Sequence, residues 1–207
     1  IGTIDSEKLY KTVTNWYWGN FDSPIIYHDP QTRKEALMFK IQLRRLAEQL
    51  IIEEQFDKAE VILDLAVNKF PIKYYKPYSE LQYELVEPFA DLYYAINKKD
   101  KAAALAVELF TKSEEKLLFY KGMKPAEQNQ YGYEIIETFN TAYRIIDNCE
   151  MHKDAKTVAA LKKRILPYEK YFKRYLDAYE QQKAEQLEYE RQMKQQEQES
   201  LQDSVLE

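Results

Sequence analysis

Few side chains in this sequence are of a type and spacing that could carry chemistry. Histidine occurs twice and cysteine once. In Tyr27-His28-Asp29 an imidazole stands beside a carboxylate, the two ingredients of a base and its orienter, but consecutive side chains need not face one another. A helix cap or a loop contact is the expected role. Cys149 lies three residues before His152. Its thiol is expected as a small buried hydrophobe rather than a nucleophile, and His152 as a solvated residue at a helix turn. The paired carboxylates Glu53-Glu54 and Glu114-Glu115 diverge on a helix, which suits solvated faces better than a shared substrate. One thiol and two imidazoles cannot complete a cysteine–histidine zinc site or close a disulfide. No catalytic residue, metal ligand set or cofactor is therefore expected.

Binding chemistry is better supplied. Tyrosine occurs 18 times. Six copies fall between Tyr74 and Tyr94, and Tyr168, Tyr171, Tyr175 and Tyr179 follow helical spacing down one side of an expected last helix. Core packing accounts for such rings with a hydroxyl still bonded, and stacking on sugars or anchoring a peptide is the alternative. Arg44, Glu48, Asp91, Tyr94, Asn140 and Arg144 fall at facing positions of successive helices. Of these, Arg44, Glu48, Asp91, Tyr94 and Arg144 are the candidate partner contacts, the arginines for acidic groups. They lack the repeated lysine and asparagine of a carboxylate-clamp chaperone adaptor. Both tryptophans, Trp16 and Trp18, lie in Asn15-Trp16-Tyr17-Trp18-Gly19-Asn20-Phe21, which must bury itself. The first helix pair is one place for it, and a preceding domain or a membrane interface is another.

The elements that position these residues read as helices. Four glycines in 207 residues are too few for tight turns and phosphate-binding loops. The longest uncharged stretch, Thr12 to Phe21, is too short to span a bilayer. With 30 basic against 35 acidic residues and a net charge of −5, no basic face for nucleic acid is expected. The opening Ile1-Gly2-Thr3 has no signal-peptide pattern and reads as a cut within a longer chain. From Asp29-Pro30, a cap and first-turn proline, apolar residues recur at three and four, predicting a helix to about Glu54 buried through Leu37, Ile41, Leu43, Leu46, Leu50 and Ile51. Helices follow at about 56–70, 80–97, 100–121, to 148, and from Lys153. Residues 1–29 form an aromatic leader, 30–178 a helical-repeat domain, and 179–207 a Gln/Glu-rich tail, either an exposed helix or disordered.

The helices pair, and the pairs match a tetratricopeptide pattern. Leu43, Leu46, Ala47, Leu50, Ala59, Leu63, Ala66 and Pro71 make one unit. Val86, Phe89, Ala90, Tyr93, Ala102, Ala106 and Leu109 make a second. A third uses Phe139, Ala142, Tyr143, Ile146, Ala155, Ala159 and Pro167, with Lys162 where a small residue belongs. Anchor alanines 43 and 53 residues apart make the array degenerate. The expected fold is all-α, antiparallel helix pairs stacked as a tetratricopeptide-like array, with a chance alignment in a plain helical bundle as the alternative.

The run Asn15 to Phe21, Tyr27-His28-Asp29, Arg33, Arg45-Leu46-Ala47 and Asp57-Lys58-Ala59 resembles the C-terminal region of a bacterial family of integral membrane proteins of unknown function. In that family the N-terminal part resembles protein O-mannosyltransferases. The resemblance runs from Asn15 through the second repeat and weakens after Lys121. It implies a soluble, periplasmic appendage attached to the membrane through an upstream region that uses a lipid-linked sugar donor. The expected function is then a noncatalytic interaction module recruiting a protein or glycan partner on a concave face. A structural spacer, an oligomerisation module and a free-standing adaptor are the alternatives.

Overall fold

The computed structural model describes residues 4–75 and 88–205, with 195–205 as backbone only. The described chain is all-α and bundle-like. In order, α1 (Ser6–Thr14), α2 (Pro30–Ile52), α3 (Phe56–Lys69), α4 (Pro88–Ala95), α5 (Lys99–Lys121), α6 (Pro125–Gln130), α7 (Gly132–Met151), α8 (Ala155–Tyr171) and α9 (Lys173–Val205) are its helices. The expected helix start near Glu80, the repeat position Val86 and the tyrosines Tyr78 and Tyr83 lie outside the described residues.

Asp29 starts α2 as the sequence pattern predicts: its carboxylate accepts the Gln31 and Thr32 amides at 2.9 and 3.0 Å, ahead of Pro30 at the first helical position. Three helix pairs, α2–α3, α4–α5 and α7–α8, are joined by the same turn. Glu54, Asn97 and Lys153 each take a left-handed φ near +60°. The next amide reaches back to close the helix: Gln55 N–H to Leu50 O, Lys98 N–H to Tyr93 O and Asp154 N–H to Cys149 O, at 2.8, 2.8 and 2.9 Å. This is the paired C-terminal bonding that usually favours glycine, performed here by glutamate, asparagine and lysine.

Within pairs the small residues permit close approach. Ala47 and Ala59 are fully buried in the first, Ala90, Ala102 and Ala106 nearly so in the second. The third pair departs from the expected register. Ala155 and Ala159 are exposed, and Val158, Leu161 and Ile165 are buried in their place. Counted from the shared turn, Val158 is the counterpart of Ala59 and Ala102, three residues beyond the predicted anchor. Pro167 does not close this unit either, because α8 continues past it to Tyr171.

The pairs share one core. α4 packs on α2 and α3, α5 packs on α7 and α8, α1 lies across the first pair, and α9 packs on α7 and α8. The expected single last helix is two: a break at the fully buried Phe172 separates Tyr168 and Tyr171 on α8 from Tyr175 and Tyr179 on α9. α9 then runs unbroken across position 179, so the tail is helical through Val205.

Candidate functional site

The partner contacts proposed from the sequence fall in two places. Arg44 and Glu48, one turn apart on α2, pair with each other at 3.2 Å. The other three lie where α4 meets α7. Between α4, α5 and α7 runs a groove of about 390 Å³ whose floor is Ala90, Ala106, Leu109 and Ile145, with Asp91, Arg144, Asp147 and Asn148 at its edges. Asp91 and Arg144, 53 positions apart in the chain, thus border one concavity. Asn140, one turn before Arg144, donates to Glu137 at 3.1 Å.

A polar network braces one end of this groove. His152 Nε2 donates to Asp91 Oδ1 at 2.9 Å, and Asn148 Nδ2 donates to the same oxygen. The His152 ring stacks on Tyr94 with centroids 4.4 Å apart and planes 13° apart. Tyr94 in turn donates to Asp154 Oδ2 at 2.9 Å, while Asp154 caps α8 through the Thr157 amide. His152 is therefore a structural brace rather than the solvated residue expected. At 7 % exposure, Tyr94 is a strut between helix pairs and presents no ring to a partner. Burial, with bonding to Cys149 and Asp154, raises its phenol well above the ordinary range.

Cys149 is fully buried and its thiol is pushed up by desolvation, which favours the unreactive thiol over thiolate. No nucleophile and base converge on the groove among its lining residues. Among the described residues, no group of three His, Cys, Asp or Glu is placed to hold a metal ion.

The aromatic leader folds back onto the first pair. Trp18 is buried, donates to Val13 O at 3.0 Å, and meets Phe39 and Phe70 edge-on. Trp16 stacks at a tilt on Trp18 and stays half-exposed. His28 makes the expected loop contacts, to Ser23 O and the Tyr75 hydroxyl at 3.2 and 3.1 Å.

Lys40 is the unusual side chain that the sequence reading passed over. It is 3 % exposed, and desolvation pushes its pKa down to about 8, opposed by the charge of Glu108 on α5. A signal was present: Lys40 stands four residues after Ala36 and three before Leu43, squarely on the apolar stripe of α2.

The fold and groove define an all-α protein built from helical hairpins with a concavity where two of them meet. No protein family, curated protein or solved structure matches this chain. Among the described residues, no helix is long and apolar enough to cross a membrane.

Proposed function

We propose that this chain is a noncatalytic interaction module of degenerate tetratricopeptide-like construction, recruiting its partner through the groove between α4, α5 and α7. The observation that carries the reading is the meeting of an apolar floor with charges of both signs, Asp91 and Asp147 against Arg144, at its edges. Such a lining suits an extended protein segment with an apolar anchor between polar groups; a glycan is the second partner class. The shared left-handed turns support the repeat construction, as does the burial of Ala59 and Ala102 at matching places. The resemblance, from Asn15 through the second repeat, supports the wider setting, a soluble periplasmic appendage of a membrane glycosyltransferase-like protein.

Selection from a random peptide library, with a glycan array in parallel, tests this. Ligands recovered on the wild-type chain should lose about tenfold or more in affinity on Arg144→Glu. The exposed Lys162→Glu, on α8 outside this groove, should leave affinity unchanged. Enriched ligands indifferent to Arg144→Glu, or no enrichment in either format, would overturn the groove as the binding site.

A further inference from the structure

The loop between α1 and α2, residues 15–28, buries Trp18 and packs Phe21 against the core but turns other large apolar side chains outward. Tyr17 and Ile25 are 93 % and 92 % exposed, Tyr27 is 75 % exposed, and Trp16 and Ile26 are each nearly half-exposed. Apolar side chains so concentrated on a surface mark a contact. Looseness of the backbone does not account for them, because the loop is bonded from beneath. Tyr75 donates to Phe21 O at 2.8 Å, Ser23 N–H donates to Asn20 O at 3.0 Å, His28 Nε2 donates to Ser23 O, and Arg33 Nε donates to His28 O at 2.8 Å. Phe21 packs against Phe39, Phe70 and Tyr75. The loop is thus a fixed platform whose inner rings are buried while its outer ones stand in water.

Charge distinguishes the surface it fits. Lys11 lies one turn before the loop. Lys34 shares a face of α2 with the exposed Met38, and Lys73 sits over the ring of Tyr74, which in turn lies beside His28. Of the nearby carboxylates, Asp22 is ion-paired with Lys69 at 3.2 Å, while Asp29 keeps its charge and directs it to the first amides of α2. Glu35 accepts from Gln31. In a chain of net charge −5, exposed lysines flank this loop in sequence at Lys11 and Lys34, and Lys73 reaches it through Tyr74 and His28.

We propose that residues 15–28 form a lipid-interface contact, seating Tyr17, Ile25 and Tyr27 in the headgroup layer of an anionic bilayer with Lys11, Lys34 and Lys73 against its phosphates. Aromatic rings with a polar edge favour that layer, branched aliphatics gain by entering it, and lysines add attraction to anionic lipid. The contact belongs to the folded domain itself and is independent of the groove and of any membrane-spanning segment elsewhere in a longer chain.

Co-sedimentation of the 207-residue chain with vesicles of phosphatidylcholine, alone or mixed with phosphatidylglycerol, tests it. The chain should pellet with the mixed vesicles, release as salt is raised, and show a blue shift from Trp16. Tyr17→Asp with Ile25→Asp, both at side chains that contribute little to the core, should keep the helical circular dichroism and thermal midpoint yet lose about tenfold or more in vesicle affinity. Lys34→Glu with Lys73→Glu should weaken binding to the mixed vesicles only. A wild-type chain that stays in solution with both vesicles overturns the proposal and leaves the loop to a protein partner; so does a Tyr17→Asp, Ile25→Asp variant that binds as the wild type does.

Discussion

The two places where α4 and the leader meet their neighbours are built from different materials. On the leader side, Trp18, Phe21, Phe39, Phe70 and Tyr75 interlock ring against ring. On the far side, α4 meets α7 and the turn after it through Asp91, Asn148, His152, Tyr94 and Asp154, by hydrogen bonds and the stacking of Tyr94 on His152. Aromatic burial is non-directional and large for each residue, whereas each polar contact nets only about 0.5–1.5 kcal/mol after desolvation and depends on geometry. The leader side is therefore the rigid seal that can hold outward-facing residues in place. The α4–α7 side is the lighter junction, and it borders the groove.

The largest effect expected from this contrast lies at Phe70. It is fully buried with Trp18, Phe21, Phe39 and Tyr75 around it at centroid distances of 5.2 to 6.1 Å. Phe70→Ala should cost about 3–5 kcal/mol in chemical denaturation, with a red shift of tryptophan emission as Trp18 loses its seal. A loss near that of a surface substitution would mean that the leader merely rests on the first pair, and the comparison would fail.

Much of this architecture is legible before folding, for identifiable reasons. Asp29-Pro30 announces a helix start because a cap and a first-turn proline act locally, and the apolar stripe of α2 follows from helical period alone. The third pair departs because Ala155 marks its unit by residue type alone, and residue type does not fix register. In the structure the left-handed turn at Lys153 sets the register, which puts Val158 where an alanine was expected. The break at Phe172 carries no glycine, and helical spacing of tyrosines continues across it, so only the burial of Phe172 between elements reveals it. For the groove, Asp91 and Arg144 could be named from helix position. His152 and Asn148 could not, because their contacts with Asp91 depend on how two hairpins dock.

Lys40 is the exception on the apolar side, and it gives the next effect in size. Its pKa is lowered from 10.5 to about 8, so below about pH 8 the folded chain holds a buried ammonium at a cost. Between the two values the unfolded chain binds a proton that the folded chain does not, and stability rises with pH. Lys40→Met should stabilise the protein by about 1–3 kcal/mol at neutral pH. This advantage should be constant below about pH 8 and shrink as pH climbs toward 10. Tyr75, its phenol raised to about 12 by burial, acts in the opposite sense above pH 10, but it is present in both proteins and cancels in the difference. An advantage that does not change between pH 7 and 10 would show that Lys40 reaches water in the folded state.

The smallest effect should come from the polar junction. Tyr94→Phe keeps the ring stacked on His152 and removes only the hydroxyl bonded to Asp154. Asp154 still accepts the Thr157 amide at 3.1 Å, so the cap of α8 survives and the expected loss is about 0.5–1.5 kcal/mol. Measured by the same denaturation as Phe70→Ala, the two losses should differ severalfold. If Tyr94→Phe instead costs as much as Phe70→Ala, the hydroxyl must hold α4 and α7 together cooperatively with Asp91 and His152. The groove would then be as rigid as the aromatic seal, and a partner would meet a preformed site rather than a junction able to adjust to it.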